Sequence, residues 1–138
     1  MLQAINFSHL PQTFRDAMEV AQRLGIRYLW IDSLCIIQDS VEDWQKESAT
    51  MSQVYSNGVV NICAVASRNS TEGIFYTRNT VCSRPVHMQV SFEGAVQKRT
   101  FCDADLWLEG VDEAPLNRRA WVMQERLLSK RNLCFGTE

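Results

Sequence analysis

The sequence predicts an α/β domain, with a partly parallel sheet flanked by helices and an added β-hairpin. Two short, almost wholly apolar runs, "RYLWID" and "GVVNICAVA", bracket an amphipathic stretch. Strand, helix and strand in that order describe a crossover unit whose strands run parallel. Runs that are apolar throughout, rather than alternating, suit strands covered on both faces. Farther on, "VHMQVSFEGAVQKRTF" reads as a hairpin turning at Glu93 and Gly94.

Taken in order, the first element is a helix. Between Pro11 and Gly25, "PQTFRDAMEVAQRLG" places Phe14, Ala17, Met18, Ala21 and Leu24 at helical spacing, with Arg15, Glu19 and Arg23 on the solvated face. Gly25 supplies the stop. In the strand "RYLWID", alternation puts Tyr28, Trp30 and Asp32 on one face and Leu29 and Ile31 on the other, with Asp32 at the carboxyl end. After "SLCIIQD" a second helix runs from about Val41 to Tyr55, capped by Asp39 or Ser40, with Glu42 spaced from Asp39 as a capping box requires. "GVVNICAVA" is the next buried strand, followed by a polar loop around Gly73, "SRNSTEGIFYTRN", edged by two aromatics. Beyond the hairpin, the acidic stretch "DADLWLEGVDEAP" leads into a helix from about Leu116 to Leu128, and "RNLCFG" closes as a strand.

No repeat, low-complexity tract or linker divides the chain, so residues 1–138 are expected to form a single domain. The chain starts just before a helix that would ordinarily follow a strand, and it ends on a strand pattern. The expectation is an incomplete domain, truncated at its N-terminus. A hydrophobic content of 46% is enough for a core, and a net charge of −2 gives no basic field to attract nucleic acid or anionic lipid. Neither is expected as a partner. The sequence lacks a signal-like start and any run of about 18 apolar residues, which points to the cytoplasm. Cys35, Cys63, Cys82, Cys102 and Cys134 are scattered and odd in number, which suits reduced thiols better than a disulfide frame or a zinc site. No metal or bound cofactor is expected. His9 and His87 read as surface or loop residues without a triad partner.

Chemistry concentrates at a few positions. Rotating the second helix at about 100° per residue puts Trp44, Met51, Val54 and Tyr55 on one side, Glu47 between Met51 and Val54, and Glu42, Lys46 and Gln53 opposite. A carboxylate facing a core must be paired, hydrogen-bonded or protonated. An ion pair with Arg27 or Arg119 would satisfy this requirement, and so would a catalytic or ligand-binding acid. Asp32 is either a ligand group, since ligands of open α/β sheets gather outside the carboxyl ends of strands, or a brace for the following turn. Cys35 has no visible activating base and reads as a buried, inert thiol. In "PLNRRAWVMQERLLS", Leu116, Ala120, Met123 and Leu127 form a core stripe. Trp121, Gln124, Glu125 and Leu128 share another side, as structural bracing, a pocket wall or a partner contact. GxGxxG, Walker, HExxH and GxSxG patterns are all absent.

The stretch from "LPQTFRDAMEVAQRLGIRYLWIDSLCIIQD" through "SVEDWQKESATMSQVYSNGVVNICA", together with "PLNRRAWVMQERLLS", resembles the heterokaryon incompatibility (HET) domain of filamentous fungi. In that family a "YLWIDSLCIIQD"-like run, a tryptophan and glutamate before a "Y-S-N" turn, and "R-A-W-x-x-Q-E-R" recur in this order. An earlier family motif, "S-Y-x-W-G", has no counterpart before Leu10. The resemblance implies a role in nonself recognition, innate immunity and programmed cell death. HET domains have been compared with TIR domains, α/β signalling folds of which some cleave NAD through a helical glutamate preceded by a tryptophan. The matching residues are Trp44 and Glu47, three positions apart where the TIR pattern has four.

That comparison implies Glu47 as catalytic acid and NAD as a substrate. A fixed carboxylate would stabilise the positive charge that builds on the sugar as the nicotinamide bond breaks. Trp30, Asp32, Cys35, Trp44, Arg119, Trp121, Gln124 and Glu125 carry the matching motifs and are the candidate pocket or structural residues. The competing expectation is a non-catalytic module that self-associates, or joins other signalling domains, through apolar surface around Trp107, Trp121 and Leu128.

Overall fold

The computed structural model describes residues 5–77, 85–92, 94–101, 105, 108–119 and 121–137, and the architecture is mixed α/β. Helix α1 spans Gln12–Arg23 and ends where its glycine requires. Gly25 adopts φ 68°, its N–H donates to the Gln22 carbonyl, and the Ile26 N–H donates to that of Ala21. This paired closure satisfies carbonyls left open at the helix end. The buried face is Asp16, Ala17, Val20 and Ala21, whereas Met18 and Leu24 are exposed. The stripe is therefore rotated from the expected one, because an acid sits inside it. Asp16 is tolerated there through bonds from Gln12 Nε2 (2.5 Å) and the Ile74 N–H (2.8 Å).

Residues 26–31 form neither a helix nor a ladder among the described residues, so the expected "RYLWID" strand is not paired there. Asp32 opens a short helix, α2 (Asp32–Cys35), on which Cys35 is exposed rather than buried. Helix α3 spans Val41–Asn57. Its cap is Ser40, whose Oγ accepts from the Asp43 N–H (3.2 Å), while the Asp43 carboxylate accepts from the Ile37 N–H (2.8 Å). Of the two expected caps Ser40 is the one used, and no capping box closes between Asp39 and Glu42, because the Asp43 carboxylate binds the chain ahead of the cap at Ile37.

The parallel pairing is between β1 (Asn61–Cys63) and β4 (Asn132–Cys134), in register from Asn61 opposite Asn132 to Cys63 opposite Cys134. Around this pair lies the core of Cys63, Val65, Val111 and Ala114, flanked by Leu116 and Cys134. Val65 and Ile74 are wholly inaccessible. Ile74 is held by the loop around Gly73, which has φ 80° and leaves no room for a side chain, since an added Cβ would lie 2.5 Å from the Asp16 carboxylate. The Ser67 hydroxyl donates to the Gly73 carbonyl and ties the loop shut.

The hairpin pairs β2 (Val86–Phe92) with β3 (Ala95–Phe101) and turns through Gly94 at φ 80°, Glu93 lying outside the described residues. Its strands are exposed except at the half-buried Val90. The late helix is shorter than expected. A 3₁₀ turn at Pro115–Arg118 is followed by a break, and only Val122–Leu128 forms helix α4. The helical phase therefore starts at Val122, which is buried, while Met123 (70% exposed) and Leu127 (72%) point to solvent. The expected core stripe is displaced accordingly, and Ala120 lies outside the described residues.

Candidate functional site

A cavity of about 650 Å³ opens between α1, residues 26–31, the end of α3 and β1. Each wall follows from local chain geometry. The glycine turn after α1 delivers the segment that carries Trp30 and leads to Asp32 at the start of α2, and the last turns of α3 deliver Val54 and Tyr55. The break before α4 brings in Arg119, and α4 itself contributes Glu125.

Of the residues singled out from sequence, the structure brings Trp30, Asp32, Arg119 and Glu125 together in this lining. Tyr55 joins them. The Trp30 and Tyr55 rings meet edge to face, with centroids 5.9 Å apart at 77°. Burial, followed by the neighbouring Glu125 carboxylate, pushes the Tyr55 pKa above the usual tyrosine value. Burial also raises the Glu125 pKa, and Asp32 adds to the rise, while the Tyr55 phenol and the charge of Arg119 oppose it. Asp32 is exposed, and its Oδ1 accepts from the Ser33 N–H (2.7 Å), so it braces the turn while lining the cleft.

Glu47 stands apart. It is half-buried on α3, does not line the cleft, and makes no ion pair among the described residues, with Arg27 and Arg119 included. Trp44, Cys35, Trp121 and Gln124 also lie outside the lining; Trp44, Cys35 and Trp121 are exposed and Gln124 is half-buried. His9 and His87 are exposed, whereas Trp107, Cys82 and Cys102 fall outside the described residues.

Helical spacing puts Tyr55 on the inward side of α3, and its polar tip at an inward position is the sequence signal for its place in the site. Cys63 is a second addition. Burial and the neighbouring Cys134 push its thiol up to about 12, which keeps it protonated and non-nucleophilic at neutral pH. Among the described residues, no group of three or more His, Cys, Asp or Glu could hold a metal ion, and no helix is long and apolar enough to cross a membrane.

The arrangement combines a half-buried carboxyl of raised pKa, an exposed carboxylate, a guanidinium and an aromatic pair in one cavity lining. Such a set can bind a polar, partly aromatic ligand and exchange a proton with it. A family model described as "Heterokaryon incompatibility protein (HET)" matches residues 2–125. No curated protein and no solved structure matches the chain.

Proposed function

The chain belongs to the heterokaryon incompatibility family, a membership that gives it a heterokaryon incompatibility role in general, and we propose that it acts in fungal nonself recognition and death signalling by cleaving NAD or a related nucleotide in this cleft. The observation that carries the reading is the Asp32 and Glu125 carboxyl pair, with Tyr55 and Arg119, in one cavity of about 650 Å³. That volume falls within the range of small-molecule sites.

Loss of nicotinamide leaves positive charge on the ribose, and a nearby carboxylate stabilises it. Asp32 serves that role. Glu125, whose raised pKa suits proton uptake, takes the proton of the attacking water, so that nicotinamide and the hydroxylated sugar are the products. Arg119 pairs with phosphate, and Trp30 and Tyr55 flank the base. The reading moves the charge-stabilising carboxylate from Glu47 to Asp32 and adds Glu125 as the base, because Glu47 does not line the cleft.

The test is NAD consumption and cell viability for the parent, Glu125→Gln and Glu47→Gln. Glu125→Gln is expected to lower turnover by at least about a hundredfold, as loss of a general base does. Glu47→Gln is expected to leave it unchanged. The reverse pattern would return the chemistry to Glu47, and absence of turnover in the parent would end the enzymatic reading.

A non-catalytic, self-associating module is the second reading. It is favoured by the exposed Trp121, Met123 and Leu127 on and beside α4. Sedimentation that stays monomeric at high concentration, together with NAD turnover, would remove it.

A further inference from the structure

The β1 and β4 ladder sets two cysteines directly opposite one another. Cys63 and Cys134 are partners in the parallel register, and register partners project their side chains from the same face of a sheet. Neighbouring strands lie about 4.8 Å apart, inside the span of about 4.4 to 6.8 Å over which a disulfide bridges two Cα atoms. Both thiols are free, and the backbone already has the spacing a bridge needs.

The rung before them lies on the same face and holds one sulfur in place. Asn61 Nδ2 donates across the strands to Asn132 Oδ1 (3.0 Å) and also to the Cys63 sulfur (3.3 Å), which itself lies 3.8 Å from Asn132 Oδ1. An amide donor at that position favours a thiolate when one forms. The two thiols differ in access. Cys63 is 3% exposed in the core with Val65, Val111 and Ala114, whereas Cys134 is half-buried at the edge of that core. Burial, and then Cys134, keeps the Cys63 thiol protonated at neutral pH. A dithiol with one reachable and one sheltered sulfur meets an oxidant in a fixed order. Cys35, exposed on α2, has no ladder partner among the described residues.

We propose that Cys63 and Cys134 form a modification site, at which a small disulfide of the glutathione class converts the opposed thiols into a reversible staple between β1 and β4. Cys134 attacks one sulfur of the small disulfide. A bond to Cys134 forms, the original S–S bond breaks, and the leaving thiolate takes up the proton that Cys134 releases. Cys63 then attacks the Cys134 sulfur of the mixed disulfide, and its proton passes to the second leaving thiolate. The two cysteines give up two electrons and the small disulfide gains them, ending as two thiols. The closing step is intramolecular, so the position of Cys63 beside its target offsets its small thiolate fraction. Directly opposed strand positions sit at the short end of the bridging span, which makes the bond easier to reduce than a relaxed one. The staple also joins two sides of the cleft. Ile62 and Ala64 line it on and beside β1, while Glu125 and Ser129 line it on the chain leading into β4. None of this depends on the nucleotide reading.

The test incubates the unmodified chain with reduced and oxidised glutathione in varied ratio, then maps disulfides by mass spectrometry after non-reducing digestion. The expected product joins the Cys63 and Cys134 peptides and disappears in excess reduced glutathione. About 70 residues lie between the two cysteines, so closing that loop is expected to raise Tm by at least about 5 °C over the reduced chain. Exchange of the Phe135 amide, which donates to the Cys63 carbonyl, is expected to slow by at least about tenfold. Cys63→Ala, with nothing left to resolve the first adduct, is expected to retain one glutathione on Cys134. Cys134→Ala is expected to leave Cys63 unmodified. A bond from Cys134 to any other cysteine, or a glutathione adduct that persists on Cys134 of the unmodified chain, would overturn the site. A bridge that leaves Tm and exchange unchanged would overturn the staple, and equally fast modification of Cys63 in Cys134→Ala would overturn entry through Cys134. The map is read on the unmodified chain, so a folding defect in either variant leaves it decisive. NAD turnover is no part of the readout, which keeps failure here distinguishable from failure of the proposed activity.

Discussion

Glu125 holds opposing influences in one side chain. Burial and Asp32 favour its neutral form, while Tyr55 and Arg119 favour the charged one, and the net result is a pKa above the ordinary 4.5. The folded state therefore keeps a proton that the unfolded chain has already released, and stability falls as pH rises through the window from the ordinary value up to the raised one. Below that window both states are protonated and the effect vanishes. Glu125→Gln removes the ionisation altogether. Its Tm is expected to match the parent at about pH 4 and to exceed it at about pH 7, as read by thermal denaturation at both values. A variant that loses stability relative to the parent on going from the lower to the higher pH would show that the carboxylate is stabilising, and the assignment of burial as the dominant influence would fail. The same carboxyl shows what a helical wheel conveys and what it leaves out. Glu125 was readable as part of a polar side with Trp121 and Gln124, yet only the break before α4 determines that Glu125 reaches the cleft while Trp121 stands 62% exposed.

Elements whose signals are local were legible in the sequence, and Ser40 is the clearest case. Its hydroxyl satisfies a donor at the start of α3 that has no partner within the helix. Ser40→Ala is expected to cost about 1 kcal/mol, read as a lower urea midpoint with unchanged slope. Ser40→Asp, which keeps an acceptor there, should restore most of it. An alanine variant as stable as the parent would mean that Asp43 and Ile37 fix the helix start alone. The glycine end of α1, the alternating hairpin and the closing strand were legible for the same reason, because each is specified by residues close in sequence. "RYLWID" was not. Its apolar run is that of a strand, but a strand is also a pairing, and pairing depends on which edge is beside it. The buried stripe of α1 is displaced from the expected one because Asp16 finds partners on Gln12 and Ile74. The latter is 58 residues away, beyond any local pattern. The site divides along the same line. Trp30, Asp32, Arg119 and Glu125 were singled out, whereas Tyr55 required knowledge of what α3 faces.

At the scale of the whole molecule the two sheets are unequal, and the inequality is measurable. β1 and β4 are the shorter pair, only three residues each, but they sit on the core of Cys63, Val65, Val111 and Ala114 and join positions 71 residues apart in the chain. Opening that pair requires exposing the core, so exchange of its amides should approach the global unfolding free energy. The hairpin has more than twice the ladder length, seven residues in each strand, yet Val86, Met88, Phe92, Val96 and Phe101 remain exposed. An isolated two-stranded ribbon is marginal in water, because its ladder bonds compete with solvent and little apolar area is removed. Native-state hydrogen exchange is therefore expected to protect the Cys63 and Phe135 amides most strongly, with β2 and β3 amides exchanging at least about a hundredfold faster, a difference of roughly 2.7 kcal/mol in opening free energy. Equal protection of both sheets would show that the hairpin's apolar face, Val86, Met88, Val90 and Phe92, is covered in solution. Protection that rises with protein concentration would identify the cover as a second copy. Hairpin length alone would give the opposite order to the one expected, so burial and not the number of ladder bonds is what the measurement decides.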